Sequence, residues 1–203
     1  DTDLVVEYSV AMNKLPVEYI EIGYRGGYKK EYFGEFYYCP KRTIDLVKKH
    51  APNKKIAIML DSKNIEVHEI EDRLKDSQSL IDLVRIASAP DKIESTIKQA
   101  QRLRELGYKV AINLMYASKI TKDSIIFDYM DELNKYSDYF YFVDSYGGMF
   151  PEEVKELILF VKDKLSVPLG FHGHNNLEMS LANSLAAYQA GATIIDSTIT
   201  GMG

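Results

Sequence analysis

Tryptophan is absent from the chain, and cysteine occurs only once, at Cys39, among 203 residues. A single cysteine cannot form a disulfide within the chain, and this usage fits the reducing cytoplasm. No apolar run reaches the roughly 18 residues that a membrane-spanning helix needs. The first residues, Asp1-Thr2-Asp3, lack the basic and apolar regions of a signal peptide. We therefore predict a cytoplasmic protein with no membrane partner.

A basic stripe is also missing. The chain has 25 basic and 30 acidic residues and a net charge of -5, and no run of Lys or Arg stands out, so we predict no nucleic-acid partner. Neither G-x-G-x-x-G nor a Walker A loop is present. The composition, 46% hydrophobic and 27% charged, is that of an ordinary globular protein, and we predict one domain over residues 1–203.

Seven short apolar runs recur along the chain and predict buried strands, because residues that are covered on both faces of a sheet form continuous apolar segments. The runs are Tyr19–Gly23, Lys55–Leu60, Leu83–Ala87, Val110–Met115, Tyr139–Val143, Val167–His172 and Ala192–Asp196.

Amphipathic segments lie between most of these strands and predict helices. They are Pro90–Leu106, Asp123–Tyr136, the helix that Pro151 opens, and Leu177–Ala190, with a further helix at Leu4–Leu15 capped by Asp3 and a loop or short helix between Leu60 and Leu83.

The alternation of strand and helix predicts a parallel sheet. Seven strands, spaced by roughly 25 to 30 residues, suit a (β/α)₈ TIM barrel better than an open sheet. Such a barrel has eight strands and about 250 residues, so we predict a barrel that lacks its first strand and its last helix.

The sharpest chemical signal is Gly170-Phe171-His172-Gly173-His174-Asn175-Asn176. Side chains alternate along a strand, so His172 and His174 point to the same face. The carboxyl ends of barrel strands form the active-site mouth, and paired imidazoles bind Mn²⁺, Mg²⁺, Zn²⁺ or Fe²⁺. We predict a metal site here, and the alternative is a pair of polar residues in a loop.

Polar residues at other strand ends are further candidates. Asp144, before Ser145, could bind a substrate hydroxyl or orient a histidine ligand, or it could cap the next helix or hold a turn. Glu21 lies in an apolar strand that Arg25 follows. A buried carboxylate requires a partner, and an ion pair between Glu21 and an arginine that shapes the site is as plausible as a purely structural pair.

The remaining candidates carry weaker signals. Asp61, Asn113 and Asp196 lie near strand ends, where structural and functional roles are equally plausible. His50 and His68 lie in polar surroundings, which favours surface positions, and Cys39 has no identifiable base beside it, which favours a structural thiol. The aromatic stretch Tyr32–Tyr38 is expected to form a loop over the barrel mouth, as a substrate lid or as packing.

Several motifs together resemble the DRE-TIM metallolyase superfamily, which contains the HMG-CoA lyase-like enzymes. The motifs are Val143–Met149, Gly170–Asn176, Ser180–Ala187, Ala190–Ala192, Asp196–Gly203 and, earlier, Ile20–Gly23, which resembles the family's second strand. Within the family they look most like the 4-hydroxy-2-oxovalerate aldolases. The tyrosine-rich segment from Tyr28 to Tyr38 departs from that pattern, which leaves room for a different substrate.

The resemblance implies roles for individual residues. His172 and His174 match the family's metal-binding histidines, Asp144 matches its aspartate at the end of strand six, and Glu21 matches a carboxylate on its strand two. From their positions in this sequence we also expect Ser145 to be catalytic with Asp144 and Glu21. The expected substrate contacts are Asn113, Arg25 and Asn176. The family's third ligand, an aspartate beside a catalytic arginine, lies on its first strand. We expect those two groups outside this chain.

The implied activity is that of a divalent-metal-dependent aldolase, with Mn²⁺ the first choice and Mg²⁺ or Zn²⁺ the alternatives. It would cleave or form a carbon–carbon bond in a small 2-oxo acid through a metal-stabilised enolate. The alternatives are a Claisen-type acyl-CoA synthase and a non-catalytic binding module. A second copy of the chain or a partner domain is the expected macromolecular partner.

Overall fold

The computed structural model describes residues 2–27 and 29–199. Its strands are β1 (Tyr19–Tyr24), β2 (Lys55–Asp61), β3 (Leu83–Ser88), β4 (Lys109–Leu114), β5 (Tyr139–Asp144), β6 (Leu169–Gly173) and β7 (Ile194–Ile195). All seven predicted strands are present. Both ends of each strand lie within two residues of the predicted ends.

The helices alternate with the strands. They are α1 (Thr2–Lys14), α2 (Glu35–Tyr38), α3 (Lys41–His50), α4 (Ile70–Leu74), α5 (Ile93–Glu105), α6 (Met130–Tyr136), α7 (Pro151–Val161) and α8 (Ser180–Ala190), with 3₁₀ turns at Ser62–Asn64, Val67–Glu69, Pro90–Lys92, Ala117–Lys119 and Ile125–Tyr129. Asp3 lies in the first turn of α1 rather than at its cap. No helix within the described residues is both long and apolar enough to cross a membrane.

The strands form one parallel sheet in the order β1-β2-β3-β4-β5-β6-β7. Sequential parallel order with helical connections is the arrangement of a TIM barrel, and the curled sheet corresponds to such a barrel without one of its strands. The predicted fold class is therefore confirmed.

The two faces of the sheet differ in chemistry. On β2, Ile56, Ile58 and Leu60 face the helices and belong to the large core, whereas Ala57 belongs to a small inner cluster with Leu83, Ala111 and Tyr141. The inner face of the sheet carries few large apolar side chains, and this leaves room inside the curl for polar groups.

Candidate metal centre and active site

A buried arginine forms the centre of the inner polar cluster. Arg85 lies on β3, whose six residues are all buried, and its side chain is 8% exposed. Burying a guanidinium is costly unless its charge and its N–H groups find partners. The guanidinium donates to Glu21 Oε2 at 2.8 Å, to Asn113 Oδ1 at 3.2 Å and to a carboxylate oxygen of Asp196.

An aromatic ring completes the surroundings of this cation. Arg85 Cζ lies 4.6 Å from the centroid of the Tyr141 ring, a geometry that stabilises a guanidinium through the ring's negative face. Tyr141 stands on β5 and fits closely against β6, because a side chain at Gly170 would lie 2.4 Å from its ring. Burial also raises the pKa of the Tyr141 hydroxyl, so the phenol stays neutral at ordinary pH.

The two histidines lie at the carboxyl end of β6, as the sequence predicted. The ring centroids of His172 and His174 are 5.1 Å apart, with 62° between the ring planes. Nδ1 of His172 lies 2.9 Å from Oδ2 of Asp196, the same carboxylate that Arg85 binds. When Nδ1 donates this hydrogen bond, the lone pair of the ring is on Nε2, which is the arrangement found in metal-binding histidines.

The ionisation of the two carboxylates differs. Burial raises the pKa of Glu21 despite the opposing charge of Arg85. Burial acts in the same direction on Asp196, but the hydrogen bond from His172 and the charge of Arg85 outweigh it and hold the pKa of Asp196 below its usual value. Two carboxylates around one guanidinium leave the cluster with an excess of acidic groups, which favours a cation nearby.

The donor set fits a divalent cation, although it is incomplete. Metal–nitrogen bonds are about 2.1 Å long, so rings at this separation can reach one ion. In the part of the chain that the structure describes, no group of three His, Cys, Asp or Glu side chains could hold a metal. The remaining coordination positions would therefore be filled by water, substrate or protein groups beyond the described residues.

The side chains of Asp144 and Ser145 accept hydrogen bonds from backbone amides near the mouth of the barrel. The Asp144 side chain is fully buried, and its two oxygens accept from the amides of Gly148 and Met149 at 3.2 and 3.0 Å. Ser145 Oγ accepts from the amide of Tyr116 at 2.9 Å. None of the hydrogen bonds described joins them to the Arg85 cluster, and their predicted catalytic roles stay predictions.

Asn176 and Arg25 also lie apart from the cluster. Asn176 is exposed and rests against Gly147, where an added side chain would meet its backbone at 2.6 Å. Arg25 is buried and donates to Arg73 O and Ser77 Oγ at 2.7 and 2.6 Å, and it pairs with Asp76. The arginine that pairs with Glu21 is Arg85.

Sequence reasoning overlooked Arg85 and Tyr141 and left Asp196 undecided. A signal for Arg85 was present, because a charged residue within Leu83-Val84-Arg85-Ile86-Ala87 must find a buried partner. Nothing local marked Tyr141 in the aromatic run of β5. Residue Tyr28 and the segment Thr200-Gly201-Met202-Gly203, which ends the last family motif, lie outside the described residues.

Comparison with known proteins supplies an independent view. The profile of the HMGL-like family matches residues 66–203. The 4-hydroxy-2-oxovalerate aldolase of Pectobacterium atrosepticum is 31% identical over 199 residues, which are 97% of this chain and 57% of that protein. The enzyme of the same name from Geobacillus thermodenitrificans is 30% identical, over 98% of this chain and 58% of its own length. The chain thus spans less than two thirds of either relative.

Many solved structures resemble this fold, among them the following two. The N-terminal domain of a candidate aldolase from Bacteroides vulgatus aligns over the whole chain and 68% of its own length, with a TM-score of 0.95 and 40% identity. The carboxyl transferase domain of Rhizobium etli pyruvate carboxylase, solved with pyruvate, aligns over the whole chain and 36% of its own length, with a TM-score of 0.77 and 19% identity. The second likeness concerns the fold alone.

Proposed function

The chain belongs to the HMGL-like family, and on this basis we propose that the full-length protein is a divalent-cation-dependent aldolase acting on a 4-hydroxy-2-oxo acid. The reaction breaks the bond between C3 and C4, turns the C4 hydroxyl into an aldehyde and places a proton on C3, which releases pyruvate. The single observation that carries the proposal is the pair His172 and His174 with Asp196 hydrogen-bonded to Nδ1 of His172.

His172 and His174 would hold the cation, with Mn²⁺ as the first candidate and Mg²⁺ or Zn²⁺ as alternatives. When bound, it supplies a Lewis acid that stabilises negative charge on the substrate's 2-oxo group. Asp196 keeps the His172 ring in one orientation, and Arg85 holds Asp196 from the other side. Arg85 is thus proposed as a positioning residue that acts on the site through Asp196.

Glu21 is the proposed proton-transferring group. Its side chain is 30% exposed on the inner face of the sheet, so a substrate can reach it. A raised pKa brings a carboxyl closer to neutral pH, where a general acid or base works best. Asn113 is 2% exposed and accepts a hydrogen bond from Arg85 on its Oδ1, so we propose that it supports the arginine. Its predicted contact with the substrate stays a prediction.

The decisive test is metal content together with turnover in the full-length protein. We expect about one Mn²⁺ per chain in the parent and close to none in a His172→Ala, His174→Ala double variant. His68→Ala is the matched control, because His68 is exposed on a 3₁₀ turn away from the inner face. Pyruvate release from 4-hydroxy-2-oxo acids should depend on the cation and be lost in the double variant.

Three outcomes would contradict the proposal. Cleavage that persists after chelation would exclude the metal role of the histidines. Acetyl-CoA-dependent release of free thiol, without pyruvate formation, would identify a Claisen-type synthase instead. If the full-length protein showed neither metal binding nor turnover, a barrel that serves as a binding module would be favoured.

A further inference from the structure

A cavity of about 240 Å³ opens at the carboxyl ends of β1 and β2, with Tyr37 of α2 in its wall. Its walls include Tyr24, Arg25, Tyr37, Asp61, Asn64 and Arg73. The volume is below the roughly 300–1,000 Å³ of sites that enclose a drug-sized ligand. It therefore suits a small group, or one end of a small substrate.

The walls of this cavity are fixed by Arg25. Its guanidinium binds the backbone carbonyls of Arg73 and Cys39 and pairs with Asp76, which ties the end of β1 to α4 and to the residue that follows α2. The amide of Gly26 donates to Tyr37 O at 2.8 Å. Because the N–H groups of Arg25 are bound within the protein, Arg25 shapes the cavity. Binding of a ligand there would fall to other residues of the wall.

Tyr24 connects the cavity to the strand that carries Glu21. It follows Glu21 by three residues on β1 and lines the cavity. Burial raises the pKa of its hydroxyl, and the charges of Glu21 and Asp61 add to the rise. The cavity and the inner cluster therefore share strand β1, which carries Glu21 of the cluster and Tyr24 of the cavity wall.

The guanidinium of Arg73 brings a positive charge to the wall of the cavity. Its side chain is 20% exposed, and its contacts with Glu69 Oε1 and Asn64 O are both 3.3 Å long. Charge-assisted hydrogen bonds are normally about 2.7–2.9 Å, so Arg73 is loosely held. Gly27 lets it approach, since an added side chain there would lie 2.9 Å from Arg73 Nη1.

The acidic residue in the wall, Asp61, makes its contacts with Lys63 and Asn64 rather than with Arg73. Asp61 accepts from the amide of Lys63 at 3.2 Å and from Asn64 Nδ2 at 2.7 Å, and its other neighbour is Lys63 Nζ at 3.4 Å. Its carboxylate is therefore occupied within its own turn. A guanidinium fork that is loosely paired matches a carboxylate, which it can bind through two parallel hydrogen bonds.

We infer that this cavity is a subsite for a carboxylate at the far end of the substrate, and that Arg73 recognises it. This inference rests on the proposed aldolase function and narrows its substrate class. The preferred substrate would be a 4-hydroxy-2-oxo acid that bears a second carboxylate, rather than one that ends in a methyl group.

The test uses two 2-oxo acids that lack the 4-hydroxyl and so cannot be cleaved. In the Mn²⁺-loaded full-length protein, calorimetry compares 2-oxoglutarate, which ends in a carboxylate, with 2-oxovalerate, which ends in a methyl group. We expect 2-oxoglutarate to bind about tenfold more tightly or better, since one charge-assisted contact is worth at least that factor. Arg73→Gln should remove this preference and leave the affinity for 2-oxovalerate unchanged.

Two further variants guard against effects on folding. Gly27→Ala keeps the arginine but pushes its tip away, so it should weaken the preference. The matched control Arg104→Gln removes the same charge from an exposed residue that pairs with Asp138, and it should keep the preference. Equal affinities for both acids, or a preference that survives Arg73→Gln, would overturn the subsite.

Failure of the proposed function would look different. Turnover of the matching 4-hydroxy-2-oxo acids, followed as pyruvate by proton NMR, tests the aldolase activity separately. Cleavage of both acids with no discrimination would leave an aldolase without the subsite. A calorimetric preference without any cleavage would leave the subsite and refute the aldolase.

Discussion

Arg85 joins residues from three parts of the chain at one point. Its partners Glu21 and Asp196 are 64 and 111 residues away in sequence, and both carboxylates lie on its guanidinium. The planar group has five donors in a fixed fork, so one side chain can hold both carboxylates and Asn113 at once. The orientation of His172 then follows from Asp196, which Arg85 fixes.

Replacing Arg85 therefore tests the core of the site. Arg85→Met keeps the length of the side chain but leaves the partly exposed carboxylates of Glu21 and Asp196 without their cation. We expect the free energy of unfolding to fall by about 1–3 kcal/mol. Arg85→Lys should lower the free energy of unfolding less, because it keeps the charge. It should also retain more of the affinity for Mn²⁺. Urea denaturation and calorimetry of the full-length protein provide the two measurements.

The control for this experiment is Arg104→Gln, whose exposed ion pair should contribute less than about 1 kcal/mol. A variant Arg85→Met that is as stable as the parent would show that the two carboxylates do not need the arginine. Equal Mn²⁺ affinity in Arg85→Met and the parent would remove the positioning role but not the ion pairs.

At the scale of elements, the connection from β5 to α7 depends on one carboxylate. Asp144 ends β5, and its oxygens receive the amides four and five residues later. Pro151 then begins α7, where a proline at the first helical position costs no hydrogen bond. The sequence motif around Asp144 thus shapes a loop at the mouth of the barrel, next to the strand that bears the histidines.

We expect Asp144→Ala to lower the free energy of unfolding by about 1–3 kcal/mol, because two amides lose their acceptor in a buried loop. Asp144→Asn should lower the free energy of unfolding less, since its amide oxygen can still accept one hydrogen bond. Thermal unfolding of the full-length protein measures both, with the exposed Asp163→Ala as the control. A large fall in kcat with unchanged stability would instead assign Asp144 to the substrate.

On the scale of the whole molecule, the curl of the sheet creates the site. In the described part of the chain, β1 and β7 are the two edge strands of the sheet. Glu21 on β1 and Asp196, just after β7, nevertheless contact the same arginine on β3. Such a contact requires the sheet to bend round on itself, so the cluster reports formation of the complete curl.

Cys39 offers a probe of global unfolding, because the chain has one cysteine and its side chain is fully buried. Burial raises the pKa of the thiol from its ordinary 9.0 to about 12. At pH 8 we expect iodoacetamide to label the folded protein far more slowly than the urea-unfolded protein, as the thiolate is the reactive form. Mass spectrometry over time measures both rates.

The same shift predicts how stability depends on pH. The folded-state pKa lies above the unfolded one, so the contribution of this thiol is complete below about pH 9 and is lost as the pH rises towards 12. Cys39→Ala should remove this part of the alkaline loss. Similar labelling rates for folded and unfolded protein would show that the thiol is accessible and that its pKa is not raised.

The sequence by itself determined the strands, most of the helices and the histidine pair. Strands covered on both faces need continuous apolar runs, and an alternation of two residues places His172 and His174 on one face whatever the rest of the chain does. These are local rules, so they can be read from a few neighbouring residues. The family motifs indicated the type of reaction, that of a metal-dependent aldolase.

Only the tertiary structure decided the partners of the charged residues. Glu21 meets Arg85 rather than the nearby Arg25, and Arg25 turns instead to Asp76 and to backbone carbonyls. These pairs depend on which side chains the curl of the sheet and the packing of α4 bring together. Sequence distance carries no information on that, because a buried charge needs some partner but does not specify which one.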